Sequence, residues 1–142
     1  MTLFLIASIA GQGVVFDADQ VDSVVDIGDV VAVPRAEPSV RGLTALRSRV
    51  VTVVDTRRAL GLEPMPPHVR RAVITRQDGH YYAMLVDALE DIETFETSPM
   101  PHAPPGGGAW SRAANGMVVR EGEPLLILDL SRLVPHPTPI LA

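Results

Sequence analysis

Two aspartates invite the first chemical reading. Asp55 closes the apolar run Val50-Val51-Thr52-Val53-Val54, and Asp129 closes Leu125-Leu126-Ile127-Leu128. A carboxylate at the end of a hydrophobic strand in each of two β-lobes is how an aspartic protease builds its dyad. The tight turn beside such a dyad needs glycine after Asp-Thr. Arg57 stands there instead, and the second copy runs Asp129-Leu130-Ser131. A guanidinium beside the pair would hold both carboxyls charged, whereas the mechanism needs them to share a proton. The spacing Asp-x-x-Arg, at Asp55/Arg58 and Asp129/Arg132, suits an aspartate accepting backbone N–H bonds at the start of a helical turn. Arg58 and Arg132 are then expected to brace those turns. His68, His80, His102 and His136 share no metal-ligand spacing, and three of them adjoin prolines. No serine occupies a Gly-x-Ser-x-Gly elbow. Gly106-Gly107-Gly108 lacks the Lys-Ser/Thr of a phosphate loop and reads as a flexible linker. No catalytic centre, cofactor or metal is expected.

Composition points the same way. The chain has 142 residues, no cysteine, a net charge of −5 and 46% hydrophobic residues. That length fits one domain, or two small half-domains sharing a core. Without cysteine there is no disulfide framework, thiol nucleophile or iron–sulfur cluster. An acidic balance argues against nucleic acid as a partner. No apolar run approaches the roughly 20 residues of a membrane span. Met1–Ala10 is apolar, but no basic residue precedes Arg35, so it reads as a first strand rather than a secretory signal. A β-rich soluble protein of the cytoplasm is the expectation.

What would position any site is a repeat. Shifting by 68 residues lays Phe4-Leu5-Ile6 on Ala72-Val73-Ile74, Gly11 on Gly79, Asp19 on Asp87, and Val21 and Val24 on Leu89 and Ile92. Shifting by 74 lays Gly42 on Gly116, Val51–Asp55 on Leu125–Asp129, and Arg58 on Arg132. The added residues fall in the Pro/Gly-rich stretch Pro99–Ala109. Two related half-domains, 1–66 and 67–142, follow. Strands are expected at Leu3–Ala10, Val14–Phe16, Val21–Ile27, Leu43–Arg47 and Val50–Asp55. The second half repeats them at Ala72–Arg76, His80–Val86, Glu90–Phe95, Met117–Arg120 and Leu125–Leu128. Turns are placed at Gly11-Gln12-Gly13 and Gln77-Asp78-Gly79. About five short strands per half predict an all-β fold of two small barrels with short helical turns. Apolar runs such as Val50–Val54 fit strands covered on both faces. Trp110 reads as a plug at a barrel mouth, an anchor beside the glycine loop being the alternative.

The 12 basic residues are all arginines, and nine lie within 35–76, between acidic flanks. Such a middle is either a solvated face balanced in three dimensions or a docking surface for an acidic partner. Arg41, Arg47 and Arg49 flank or end the strand Leu43–Leu46, with Arg47 and Arg49 alternating onto one face. Val21, Val24 and Ile27 interleave with Asp22, Ser23 and Asp26. Ordinary core is the plainer reading of these apolar residues; a groove for a partner's helix is the functional one.

The stretch from Pro34 and Pro38 through Val40-Arg41-Gly42-Leu43-Thr44-Ala45-Leu46-Arg47-Ser48-Arg49 to Val53-Val54-Asp55-Thr56-Arg57 resembles the CheW-like adaptor family of bacterial chemotaxis. That family runs from a proline-rich approach through Val-Arg-Gly and Asn-Leu-Arg-Gly into a strand ending Val-Asp-Leu-Arg. Val86-Asp87-Ala88-Leu89-Glu90-Asp91-Ile92 and Gly116 to Leu133 are similar to its second-half segments. The resemblance implies two SH3-like five-stranded barrels. It also implies a non-catalytic adaptor joining the regulatory domain of a CheA-type histidine kinase to the cytoplasmic helical hairpin of chemoreceptors. Such a protein is cytoplasmic and meets membrane arrays only through its partners, with no direct insertion. Receptor binding would use a hydrophobic groove between subdomains, and kinase binding the barrel ends. By position, Val21, Val24, Arg41, Gly42, Leu43, Leu46 and Arg47 are the candidate contacts. Ala45, Ser48, Thr52, Thr56, Ser23 and Val25 depart from the family pattern and bear on partner choice. Two alternatives accompany this reading: a divergent module that caps or competes in the array, and a small-ligand-binding β-barrel that kept only the fold.

Overall fold

Along the first apolar run, alternate side chains must find cover on opposite sides of a strand. A computed structural model, which describes residues 1–99 and 108–135, provides that cover with two barrels packed together. The strands are β1 (Thr2–Ile9), β2 (Gln12–Asp17), β3 (Ser23–Asp26), β4 (Val40–Leu46), β5 (Arg49–Asp55), β6 (Arg71–Gln77), β7 (His80–Leu85), β8 (Ala88–Phe95), β9 (Ala114–Arg120) and β10 (Glu123–Leu128). Helix α1 spans Thr56–Ala59 and α2 spans Gly108–Ala113, with single 3-10 turns at Ala18–Gln20 and Leu130–Arg132. The fold is all-β, as expected. One five-stranded sheet runs β8-β1-β2-β10-β9 and the other β3-β6-β7-β5-β4.

The repeat carries one sheet onto the other. A shift of 68 takes β2 onto β7, and a shift of 74 takes β4 onto β9. The one parallel contact of each sheet is preserved as well, since Leu126 faces Val14 and Thr52 faces Tyr82. The barrels do not follow the division into 1–66 and 67–142, however. Hairpin β1–β2 of the first half joins β8, β9 and β10 of the second, and β6–β7 joins β3, β4 and β5. The halves exchange their leading hairpins. Local turn chemistry sets each hairpin, whereas the parallel β2–β10 and β5–β7 contacts that assign it to a sheet are long-range.

Four two-residue hairpin turns place both central residues at positive φ, the geometry that matches strand twist. They are Ala10-Gly11, Arg47-Ser48, Asp78-Gly79 and Glu121-Gly122. The first turn therefore ends before Gln12, which already belongs to β2. Arg47, expected at the end of a strand, is in a turn with φ of 51°. Each barrel also carries a bulge glycine. Gly42 has φ of 150°, and a Cβ there would lie 2.2 Å from the Val31 carbonyl oxygen. Its repeat mate Gly116 has φ of 152°, with the Ser98 carbonyl oxygen at 3.1 Å. At both places the connecting chain crosses over the barrel and pairs with the next residue, Val31 with Leu43 and Ser98 with Met117.

Three apolar clusters result. Phe4, Ile6, Val15, Phe95, Val118, Leu125 and Ile127 fill the first barrel. Val51, Val53, Ala72, Ile74, Ala83 and Leu85 fill the second. Between them lie Leu5, Ala7, Ile9, Phe16, Val54, Val73, Met84 and Leu128. Thus β1 sends Phe4 and Ile6 into its barrel and Leu5 and Ala7 into the middle layer, which explains its unbroken apolar run. Val50 is the exception within its own run, being 68% exposed. Trp110, on α2, is buried in the middle layer and not at a barrel mouth. Helix α2 itself begins inside the expected linker; the first two glycines of the triplet, His102 and His136 lie outside the described residues.

Candidate partner-binding site

The candidate contacts divide among three places. Val21 closes the 3-10 turn Ala18–Gln20, and Val24 lies on β3 with its side chain turned away from the second barrel. With Leu3, Leu5, Ala18 and Ile92 they line an apolar groove of about 200 Å³. Leu3 is 45% exposed, Val24 37% and Ile92 58%. The groove is formed by strands of both barrels, β1 and β8 on one side and β3 on the other. Val24 and Ile92 are repeat mates, so the groove straddles the internal pseudo-symmetry. Asp26, and Asp22 just before β3, share the outward face of that strand with Val24, Asp26 being paired with Arg71 at 3.1 Å, whereas Asp91 and Glu93 alternate to the face opposite Ile92 and bind Arg120.

Strand β4 holds the second group. Arg41 is tied inward: its Nη2 donates to the Met65 carbonyl at 2.7 Å and to Asp55 Oδ2 at 3.3 Å. Gly42 is buried under the Val31 backbone, and Leu46 packs partly against the second barrel's core. Leu43 is on the outer face at the Val31 crossing. The third place is the β4–β5 tip, where Arg47 is exposed. Arg47 also lines a depression of about 220 Å³ with Asp22, Ser23, Leu46, Arg49 and Tyr81. The structure therefore joins Val21 to Val24, and Leu46 to Arg47, but does not unite all seven residues.

Both aspartates of the repeated Asp-x-x-Arg cap their turns. Asp55 Oδ1 accepts from the Arg58 N–H at 3.2 Å, and Asp129 Oδ1 from the Ser131 N–H at 3.0 Å. Arg132 braces its own turn through Asp129 at 3.5 Å. Arg58 is exposed and makes no ion pair among the described residues; its neighbour Arg57 acts instead. The Arg57 guanidinium grips Asp87, whose Oδ2 also accepts the Ala10 N–H at 2.6 Å. This joins α1, beside one barrel, to the β1–β2 turn of the other. Burial pushes the Asp87 carboxyl up, but the hydrogen bonds from Arg57 and Ala10 outweigh it and leave it below the ordinary carboxylate range. Burial likewise acts against Asp129, and bonds from Gln20 and Ser131 again give a net lowering.

The groove residues Leu3, Leu5, Ala18 and Ile92 escaped sequence reasoning, as did Arg76 and Tyr81 beside the tip. One signal was available for Ile92: it is the lone apolar residue in Glu90-Asp91-Ile92-Glu93, and the repeat lays it on Val24. Leu3 carries no such mark, because its run continues directly into core residues.

Two SH3-like barrels with strands exchanged between repeated halves, and a groove between them, define the class of protein. A family model for the CheW-like domain matches residues 3–138. The chain belongs to the CheW-like family. A chemotaxis protein CheW of Rhizobium meliloti is 30% identical over 104 residues, covering 72% of this chain and 67% of that protein. One from Thermotoga maritima is 21% identical over 123 residues, 87% of this chain and 81% of its own length. The crystal structure of the scaffolding protein TtCheW from Thermoanaerobacter tengcongensis superimposes with a TM-score of 0.81 at 18% identity, covering 93% of this chain and 91% of that one. No helix among the described residues is long and apolar enough to cross a membrane.

Proposed function

We propose that this chain is a non-catalytic adaptor of a chemotaxis array, coupling a CheA-type histidine kinase to the helical cytoplasmic tips of chemoreceptors. The observation that carries the reading is the inter-barrel groove with Leu3, Val24 and Ile92 left partly open to solvent. An apolar groove is suited to a helix that presents an apolar stripe at i, i+3/i+4 spacing. The tip around Arg47 is then the kinase contact, and the protein works in the cytoplasm without entering the membrane. The alternative of a ligand-binding barrel has one feature in its favour, a depression of about 510 Å³ lined by Ile27, Asp29, Arg41, Val69 and Arg70. Its two arginines are already engaged, Arg41 as above and Arg70 with the carbonyls of Ile27 and Gly28 at 3.4 and 3.0 Å. That leaves few convergent polar groups for a small molecule.

Titration calorimetry tests the adaptor reading against two ligands, the kinase regulatory domain and a receptor helical hairpin from the same organism. One-to-one binding to each is expected. Arg47→Ala should weaken the kinase complex by about tenfold with the melting temperature almost unchanged, and Val24→Asp should do the same to the receptor complex alone. A large stability loss in Arg47→Ala would make that residue structural, and no binding to either ligand would end the reading.

A further inference from the structure

The two barrel mouths that the repeat makes equivalent are finished differently. At the first barrel the inward-facing position 13 is glycine, and a Cβ there would lie 2.6 Å from Leu125 Cδ2, so Leu125 plugs the opening. The cation beside it, Arg120, is held by Glu93 at 2.7 Å, Glu90 at 3.5 Å and Asp91 at 3.8 Å. At the second barrel the 68-residue shift lays Tyr81 on Gly13, and the mouth is an open depression of about 220 Å³ floored by Leu46, Val51 and Ile74. Alternation along β5, β6 and β7 puts Arg49, Arg76 and Tyr81 on the same face as the core residues Val51, Ile74 and Ala83, so all three stand at the rim. The Arg49 guanidinium stacks on the Tyr81 ring at 4.2 Å, and that of Arg76 lies 5.6 Å from the same ring centre. Arg47 reaches the rim from the β4–β5 turn. All three arginines are exposed, and none makes an ion pair among the described residues. Tyr81 therefore holds two cations in place beside Arg47 without neutralising them. Asp22 is the one carboxylate lining the depression, so three guanidiniums face a single negative charge.

We infer that the mouth of the second barrel binds a polyphosphate chain, free or carried by a nucleotide. Guanidinium forks pair with phosphate oxygens through charge-assisted hydrogen bonds. Three of them around so small an opening call for more charge than one carboxylate brings, and two or more linked phosphates supply it. The apolar floor offers no polar partner, so the phosphates are held at the rim and the body of a nucleotide stays outside. The same floor keeps water from one side of the ion pairs, which strengthens them. The first barrel shows that the fold does not require such a mouth, since there the opening is plugged and its cation spent. A bound polyphosphate would compete with the kinase for Arg47, but the site is read on this chain alone and stands or falls separately from the kinase reading.

Titration calorimetry of the whole chain at low ionic strength tests this, with sodium tripolyphosphate, magnesium-free ATP, orthophosphate and a hexaglutamate peptide as separate ligands. One-to-one binding of tripolyphosphate or ATP is expected, at least about tenfold tighter than orthophosphate or hexaglutamate. ATP binding tighter than tripolyphosphate assigns the site to a nucleotide, and the reverse order assigns it to inorganic polyphosphate. R49A/R76A should weaken binding by about tenfold or more, and Tyr81→Leu should weaken it by releasing the two guanidiniums, whereas Tyr81→Phe keeps the ring and the affinity. Arg58→Ala, which removes an exposed arginine far from the mouth in sequence, should bind as wild type does. Should Tyr81→Leu disturb folding by circular dichroism, R49A/R76A against Arg58→Ala decides the matter. No saturable binding of either polyphosphate, equal losses in R49A/R76A and Arg58→Ala, or hexaglutamate binding as tightly as tripolyphosphate would overturn the inference.

Discussion

At the residue scale, the side chains that do most to join the barrels are Arg57, Asp87 and Gln20. Asp87 receives the Arg57 guanidinium and the Ala10 N–H. Gln20 Nε2 donates to Asp129 Oδ1 at 2.7 Å, its Oε1 accepts the Leu130 N–H at 2.9 Å, and its carbonyl accepts the Thr75 hydroxyl at 2.7 Å. The lowered pKa of Asp87 makes a pH prediction. A carboxyl whose folded pKa lies below its unfolded value of about 3.9 contributes stability that is complete above that value and lost as pH falls through the folded pKa. Asp87→Asn should therefore be less stable at pH 7 by about 2 kcal/mol. Its stability should also fall less steeply than wild type below about pH 5, leaving the Asp129 contribution in place. Urea unfolding at a series of pH values checks this; parallel curves would remove Asp87 from the acid-sensitive set. The Asp-x-x-Arg spacing made the caps of Asp55 and Asp129 legible in sequence. Nothing local could reveal Arg57 with Asp87, 30 residues apart in the chain.

At the scale of elements, four hairpins obey one rule and one of them bends it. The second turn position is glycine at Gly11, Gly79 and Gly122, but serine at Ser48 with φ of 64°. A non-glycine residue held in the left-handed region costs about 1–2 kcal/mol, part of which glycine returns through its greater freedom in the unfolded chain. Ser48→Gly should thus raise stability by about 0.5–1 kcal/mol, seen as a higher urea midpoint at unchanged m-value. An unchanged or lower midpoint would mean that Ser48 has a compensating contact. The strands and the turns near Gly11 and Gly79 were readable because glycine positions and apolar runs are local signals, whereas no glycine marks the Arg47-Ser48 turn and Arg47 read as strand. Helix α2 was not, since Gly108 to Ala113 is held by burying Trp110 and Ala113 in the middle layer rather than by its own pattern.

At the scale of the molecule, the exchanged hairpins mean that neither half holds a complete barrel. Residues 1–66 alone would expose the inner face of β1–β2, and residues 67–142 that of β6–β7. Each fragment expressed by itself should be unfolded by circular dichroism, and mixing the two should regain β structure; cooperative unfolding of either fragment alone would refute this. The sequence by itself determined the all-β class, the two-fold repeat, the glycine-marked turns near Gly11 and Gly79, the capped aspartates and the family. All of these rest on residue types at short or fixed spacing. Tertiary structure alone decided that the halves exchange hairpins and that Val24 meets Ile92 and Leu3 across a groove. It also decided that Arg41 is bound inward while Arg47 stays free at a tip. An unbroken apolar run states that a strand has two covered faces, but which elements supply the cover depends on long-range pairings that leave no local mark.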